Sequence, residues 1–91
     1  IWTVSMRIKS TPHFDKRLAK RIKGNAQLKK KVSEQLKKLK INAKYPSLKM
    51  HKLKGERTQE YSIWIEGNLR IVFQITSSTF LLTDIITHDE Y

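Results

Sequence analysis

Two histidines and one arginine occupy positions from which they could act together on a phosphate group. His51 lies in a lysine-containing stretch, Arg70 in a β-type run, and His88 is followed three residues later by Tyr91. Imidazole exchanges protons near physiological pH, and a guanidinium group binds phosphate oxygens with a fork of donors. RNA cleavage by its own 2′-hydroxyl needs a base, an acid for the departing 5′-oxygen, and cations for the phosphorane. These residue types therefore indicate phosphate chemistry.

Three successive β-type runs, rich in β-branched and aromatic residues, must position the arginine. Alternation sets the register of the first two runs, because a slip by one residue moves every side chain to the other face. A three-residue loop between them pairs Ile65 with Leu69 and gathers the apolar side chains on one face. Trp64 then lies beside Arg70 on the opposite face. The runs cover residues 61–65, 69–75 and 80–86.

Antiparallel pairing of the last two runs predicts which groups meet at one end of the sheet. The turn between these runs pairs Ile75 with Phe80. The same register brings Arg70 near Ile85, and His88 then emerges at the same end. A guanidinium and an imidazole are thus expected at a shared edge.

Further basic and aromatic side chains are candidates for contact with RNA at this edge. A turn at residue 55 would bring His51, Lys52 and Lys54 towards it, and Trp64 offers a ring on which a base can stack. Taken singly, such residues are more often surface lysines, loop histidines or a packed tryptophan. An arginine on a strand is likewise usually an ion-pair partner, here of Glu66 or Asp84.

Charge is distributed unevenly along the chain. The net charge is +11, from 19 lysines and arginines against 8 acidic residues. Residues 1–54 hold 17 basic and 2 acidic side chains, whereas residues 55–91 hold 2 basic and 6 acidic ones. This asymmetry favours a polyanionic partner over a merely well-solvated lysine surface. Such a partner is most often nucleic acid, and an acidic protein or a membrane surface is the alternative. Lys30 and Lys37 are the candidates for phosphate contacts in the lysine-rich half.

The first half of the chain predicts one strand followed by a helical hairpin. Residues 1–8 alternate as a strand, Thr11 before Pro12 predicts a helix start, and Gly24 a helix end. Asn25 can cap a second helix. The predicted class is α+β, with strand, helix, helix and a three-strand meander, the hairpin covering one face of a four-stranded antiparallel sheet. Predicted buried positions are Trp2, Val4, Met6, Ile8, Phe14, Leu18, Ile22, Leu28, Val32, Leu36 and Leu39.

Length and composition limit the other possibilities. A chain of 91 residues predicts a single domain over residues 1–91. It has no cysteine, which fits a reducing cytoplasm and excludes disulfides and thiolate metal sites. No apolar run approaches the roughly 20 residues of a membrane span. His51, His88 and Asp89 are too few for a metal site and no phosphate-binding loop is present, so neither metal nor cofactor is predicted.

Several short motifs, in this order and spacing, resemble the RelE/ParE superfamily of bacterial toxins. They lie at residues 51–55, 61–65, 68–75 and 87–91, so the resemblance covers nearly the whole chain. It implies a RelE-like fold and a cognate acidic antitoxin protein as partner. The RelE branch cleaves mRNA on the ribosome without a metal and leaves a 2′,3′-cyclic phosphate. The ParE branch instead inhibits DNA gyrase.

The resemblance also implies roles for individual residues. Arg70 matches the arginine that stabilises the transition-state phosphate, and Lys54 matches a basic residue of a Leu-basic-Gly motif. His51 and His88 resemble the general base and acid of YafQ-type ribonucleases in an order left open, and Tyr91 resembles the C-terminal aromatic residue. The implied function is a cytoplasmic mRNA endoribonuclease of a type II toxin–antitoxin system. The alternatives are a ParE-like gyrase inhibitor and a non-enzymatic nucleic-acid-binding module.

Overall fold

Two helices and a twisted sheet make up the described part of the computed structural model, which comprises residues 6–53, 59–76 and 78–87. The predicted α+β class and the order of strand, helical hairpin and meander are confirmed. Neither α1 nor α2 is both long and apolar enough to cross a membrane. The elements are β1 Arg7–Ser10, α1 Pro12–Ile22, α2 Ala26–Ile41, a 3-10 helix Pro46–Leu48, β2 His51–Lys52, β3 Tyr61–Glu66, β4 Leu69–Ile75 and β5 Thr79–Thr87.

Capping residues begin both helices, as the sequence predicts. The Thr11 hydroxyl accepts a hydrogen bond from the Phe14 N–H at 3.2 Å. The Asn25 side chain accepts one from the Leu28 N–H at 3.0 Å. Gly24 lies between the helices with φ +70°, a left-handed conformation that glycine adopts without steric cost. These local interactions reverse the chain between α1 and α2.

The sheet differs from the predicted one in strand number and in one direction. Its order in the described residues is β1-β5-β4-β3-β2, with β1 parallel to β5 and the other pairs antiparallel. Tight turns join β3, β4 and β5, and such turns enforce antiparallel pairing. β1 is separated from the meander along the chain by the helical hairpin, the 3-10 helix and β2, so no local turn fixes its direction. The fifth strand is β2, a short extended piece beside β3.

The β3–β4 hairpin has the predicted register over most of its length. Trp64 pairs with Arg70, and the pairing continues to the far end of β3. Near the turn the register shifts, so that Glu66 rather than Ile65 lies opposite Leu69. The turn is therefore shorter than predicted.

The β4–β5 pairing begins as predicted and then shifts by one residue. Ile75 pairs with Phe80, but between Val72 and Phe73 the ladder contains a β-bulge. Arg70 consequently pairs with Ile86, one residue beyond the predicted neighbour. A bulge of this kind leaves no signal in the alternation of a strand that is buried along most of its length.

The helices cover the apolar face of the sheet that was predicted for them. Ile63, Ile71 and Phe73 are fully buried there, together with Phe14 of α1 and most of the predicted stripe of α2. The opposite face is partly covered by a second cluster of Leu53, Val72 and Ile86. Met6 and Ile8 pack against the main core as predicted, whereas Trp2 and Val4 lie outside the described residues.

Candidate phosphate-binding site

The candidate site is centred on one backbone oxygen, the carbonyl of Lys49. The Arg70 Nη1 group donates to it at 3.4 Å, and His51 Nδ1 lies 3.3 Å from the same oxygen. Because a carbonyl oxygen can only accept, this second contact requires a proton on Nδ1. Two of the predicted catalytic side chains are thus brought together.

Sheet pairing places both side chains on the same face, although β2 and β4 are not neighbours. His51 pairs with Ser62, and Arg70 pairs with Trp64. Ser62 and Trp64 are two residues apart on β3, so their side chains point to the same side. The face is the one opposite the helices, as the alternation predicted for Trp64 and Arg70.

An unusual backbone conformation directs the Lys49 carbonyl towards these groups. Lys49 has φ 47° and ψ 45°, in the left-handed region, where a residue with a Cβ is strained by roughly 1–2 kcal/mol. The 3-10 helix ends here, with the Lys49 N–H donating to the Pro46 carbonyl at 3.2 Å. Leu48 is fully buried and anchors the turn in the core. The turn carries the chain directly into β2.

The Arg70 guanidinium has no carboxylate partner among the residues that the structure describes. Its side chain is half-buried, and its hydrogen bond is to the neutral Lys49 carbonyl. The described ion pairs join Asp84 to Arg17 and His13 instead. A guanidinium has five N–H donors, so a single carbonyl leaves most of them for an anion. The ion-pair interpretation of Arg70 is therefore not favoured.

Trp64, directly across from Arg70, has two ammonium groups close to its ring. Lys49 Nζ is 4.7 Å from the centroid of the indole ring, and Lys31 Nζ of α2 is 5.5 Å from it. The indole N–H donates to the Gly67 carbonyl at 2.8 Å, which fixes the ring orientation. Cations at these distances are attracted to the ring face. The tryptophan therefore holds two positive charges beside the guanidinium, and its stacking on a base stays a prediction.

A buried glutamine, Gln35, connects α2 to two backbone segments beside the site, one at Trp64 in β3 and one at Ser47 in the 3-10 helix. The Gln35 amide donates to the Trp64 carbonyl at 2.7 Å and to the Ser47 carbonyl at 3.2 Å. Lys38 Nζ donates to the Ser47 hydroxyl at 3.1 Å. These bonds attach the edge of β3 and the segment before β2 to the same helix. The position of Lys49 is thereby coupled to the packing of α2 on the sheet.

The remaining predicted catalytic residues lie outside the described ranges. These are His88 and Tyr91, and the basic residue Lys54 is likewise outside them. β5 can be followed to Thr87, which pairs with Leu69. The chain therefore reaches its last described position at the sheet end that carries the guanidinium.

Three predicted RNA contacts are exposed but stand apart from the Lys49 carbonyl. Lys52 follows His51 in β2, so the two side chains point to opposite faces. Lys30 and Lys37 are seven residues apart on α2 and lie on nearly the same side of it, away from its buried residues. Their contacts with RNA stay predictions.

Two residues that build the site were missed in the sequence, and a third, Lys31, stood out only as part of the lysine run at residues 29–31. Lys31 and Lys49 are two of many lysines, and nothing in their neighbours marks a left-handed backbone or a nearby indole. Gln35 did leave a signal, because it occupies a position of the buried stripe between Val32 and Leu39. A polar residue at such a position must find partners in the core.

Solved structures with the same fold include toxins of toxin–antitoxin systems. The E. coli DinJ–YafQ toxin–antitoxin complex matches with a TM-score of 0.76 and 16% identity, covering 96% of this chain and 97% of that chain. The YoeB–YefM complex from Staphylococcus aureus matches with a TM-score of 0.75 and 25% identity, covering 91% and 97%. The YoeB/ParE toxin from Agrobacterium tumefaciens matches with a TM-score of 0.71 and 19% identity, covering 91% of this chain and 99% of that chain. No protein-family model and no curated protein matches the sequence.

The architecture is therefore that of the toxins among these structural neighbours. The structural neighbours YafQ, YoeB and YoeB/ParE are all toxins of the RelE/ParE superfamily. The chain has the RelE/ParE-type fold, and the resemblance drawn from its motifs is confirmed.

Proposed function

We propose that this chain is the toxin of a type II toxin–antitoxin system and an endoribonuclease that cleaves mRNA. The observation that carries the proposal is the convergence of Arg70 and His51 on the Lys49 carbonyl. It lies within a fold shared with the toxins of the DinJ–YafQ and YoeB–YefM complexes. A guanidinium without a described carboxylate partner, an imidazole and two lysines around Trp64 form a cationic face suited to one phosphodiester.

The proposed reaction is attack by the RNA's own 2′-hydroxyl. His51 takes the hydroxyl proton, and the 2′-oxygen forms a bond to the adjacent phosphorus. The bond from phosphorus to the 5′-oxygen breaks, and a general acid protonates that oxygen. His88 is the candidate acid, and the two histidines can also be assigned in the reverse order. The products are a 2′,3′-cyclic phosphate and a free 5′-hydroxyl.

Arg70 has the role of stabilising charge in this scheme. The equatorial oxygens gain negative charge as the phosphorane forms, and fixed donors placed there need no reorganisation during the reaction. Loss of one such donor typically lowers the rate by about 10²–10³-fold. The Lys49 carbonyl would hold the guanidinium in place beforehand.

The proposed partners are a cognate acidic antitoxin and the translating ribosome. Complexes of the neighbours with DinJ and YefM support an antitoxin partner. The net charge of +11 supports binding to both an acidic protein and RNA. The site of action would be the cytoplasm, where ribosomes translate mRNA.

Brief expression of the chain, followed by primer extension on ribosome-bound transcripts, tests this function. Wild type is expected to arrest growth and to produce discrete cuts within codons. Arg70→Ala should abolish both while retaining antitoxin binding, and Lys16→Ala, an exposed change on α1, should behave as wild type. DNA breaks without RNA cuts would assign the chain to gyrase inhibition. RNA binding without RNA cuts and without growth arrest would identify the chain as a non-enzymatic nucleic-acid-binding module.

A further inference from the structure

A shallow pocket of about 250 Å³ adjoins the Lys49 site, and its walls come from the segment that connects α2 to β2. Lys49 lines this pocket and also supplies the carbonyl that accepts from Arg70. The pocket and the candidate site therefore share a residue, and a strand of RNA can occupy both. The lining residues are Ala43, Lys44, Tyr45, Pro46, Lys49 and Met50.

Tyr45 gives this pocket an aromatic side chain surrounded by positive charge. The residue is 43% exposed, which is high for a large apolar side chain in this domain. Lys38 Nζ lies 5.4 Å from the centroid of its ring. Lys44 and Lys49 are among the lining residues, and the Lys49 ammonium group lies 4.7 Å from the centroid of the Trp64 ring beside the pocket. Proteins bind single-stranded RNA by stacking bases on aromatic rings while cations contact the backbone.

Hydrogen bonds hold the segment in one conformation. The Asn42 side chain accepts from the Lys44 N–H at 3.0 Å, and the Asn42 carbonyl accepts from the Tyr45 N–H at 3.0 Å. The Leu48 N–H donates to the Tyr45 carbonyl at 3.0 Å. The bonds from Gln35 and Lys38 to Ser47 fix the other side. A preformed pocket loses little conformational entropy when a ligand enters it.

We propose that this pocket binds one nucleobase of single-stranded RNA next to the phosphate held at Arg70, with the base stacked on Tyr45. The proposal rests on the function proposed above and adds to it a subsite that selects where the RNA is cut. Lys44 and Lys49 contact the phosphate that joins this nucleotide to its neighbour. The pocket is small, so it takes a single base.

Cleavage mapping on a defined RNA with ribosomes tests the subsite. Tyr45→Ala should lower kcat/KM at the preferred cut by about tenfold or more, the usual effect of losing one stacked base, and should change the order of preferred cuts. Tyr45→Phe should restore the wild-type pattern, since stacking needs only the ring. Ile41→Ala, a change at an 80% exposed residue at the end of α2, is the matched control. An unaltered rate and cut pattern in Tyr45→Ala would overturn the proposal.

Binding of an uncleavable RNA separates this proposal from the nuclease function. The probe is a short single-stranded RNA with 2′-O-methyl sugars, in which one position at a time lacks its base. Removal of the base at one position should lower the affinity of the wild type for this RNA about tenfold. The affinity of Tyr45→Ala should not depend on the base at that position. This result would support the subsite even if the wild type cleaves no RNA. If the two proteins are equally sensitive to base removal at every position, the subsite is overturned even if the wild type cleaves RNA. NMR titrations of the wild type with this RNA and with an acidic peptide give a second test. Chemical-shift changes at Tyr45 with the peptide but not with the RNA would also overturn the subsite.

Discussion

His51 and Arg70 share a hydrogen-bond acceptor, the carbonyl oxygen of Lys49, although their strands are separated by β3. The shared acceptor keeps an imidazole and a guanidinium within reach of one phosphate group. Backbone geometry rather than a side chain therefore sets the spacing of the two groups. Substitutions at Lys49 can therefore test separately what its backbone carbonyl and its side-chain ammonium group contribute.

Substitution of Lys49 should distinguish its carbonyl from its ammonium group. Lys49→Gly keeps the carbonyl and suits a positive φ, so the unfolding free energy should stay within about 1 kcal/mol of wild type. Cleavage at saturating RNA should stay close to wild type, whereas RNA affinity should fall because a charge is lost. Lys49→Val should be destabilised by roughly 1–2 kcal/mol, since a β-branched residue resists this conformation. Denaturant unfolding and single-turnover cleavage measure these effects.

A Lys49→Gly variant that cleaves saturating RNA as slowly as Arg70→Ala would contradict this separation of roles. It would mean that the ammonium group, rather than the carbonyl, organises the reacting phosphate. Lys23→Gly, at the exposed residue that follows α1, provides the control for a lysine lost outside the proposed RNA-binding surface.

Local signals in the sequence predicted much of the framework. Side-chain caps at Thr11 and Asn25 are short-range interactions, so residue types alone indicate them. The pairing of Trp64 with Arg70 followed from alternation, because only one register separates apolar from polar side chains. The apposition of Arg70 and Trp64, and hence half of the candidate site, was therefore predictable.

The rest depends on interactions that a linear pattern does not record. The parallel direction of β1 is set by how the helical hairpin crosses the sheet, and the β4–β5 bulge by packing on both faces. The left-handed backbone of Lys49 arises where the 3-10 helix meets β2, at a residue type that rarely adopts it. Of these three features, the Lys49 backbone is the one that decides where Arg70 and His51 meet. The sequence therefore predicted the participants better than their geometry.

Gln35 should stabilise the protein by linking α2 to the backbone at Trp64 and Ser47, beside the site. Gln35→Leu removes the two bonds to the Trp64 and Ser47 carbonyls from a fully buried position. The expected loss is about 1–2 kcal/mol, because two carbonyls lose this donor while the Gln35 Oε1 atom, which is buried with no hydrogen-bond partner among the described residues, is removed as well. Glu34→Met, on the exposed side of the same helix, should change stability by less than about 0.5 kcal/mol. Urea unfolding of both variants compares them, and equal small effects would show that the two bonds stabilise the fold by no more than the unpaired Gln35 oxygen destabilises it.

Asp84 should attach α1 to the sheet through charge. The carboxylate is almost buried and lies 3.4 Å from both Arg17 Nε and His13 Nε2. Asp84→Asn keeps the shape but removes the charge, and should lower the unfolding free energy by roughly 1–3 kcal/mol. Asp15→Asn, exposed in the first turn of α1, should cost at most about 1 kcal/mol. A double-mutant cycle of Asp84→Asn with Arg17→Met measures the coupling, and a value near zero would contradict the ion pair's role.

The path of RNA across α2 should be visible in the salt dependence of binding. Lys31 lies beside Trp64 on the flank of α2 near Arg70, whereas Lys30 points away from the buried side of the helix. Neutralising a lysine that contacts a phosphate of single-stranded RNA lowers the slope of log affinity against log salt by about 0.7. Lys31→Gln should show this decrease in titrations of an uncleavable RNA. The same decrease in Lys30→Gln alone would move the RNA to the outer face of α2, and an unchanged slope in Lys31→Gln would remove the Trp64 flank from the binding surface.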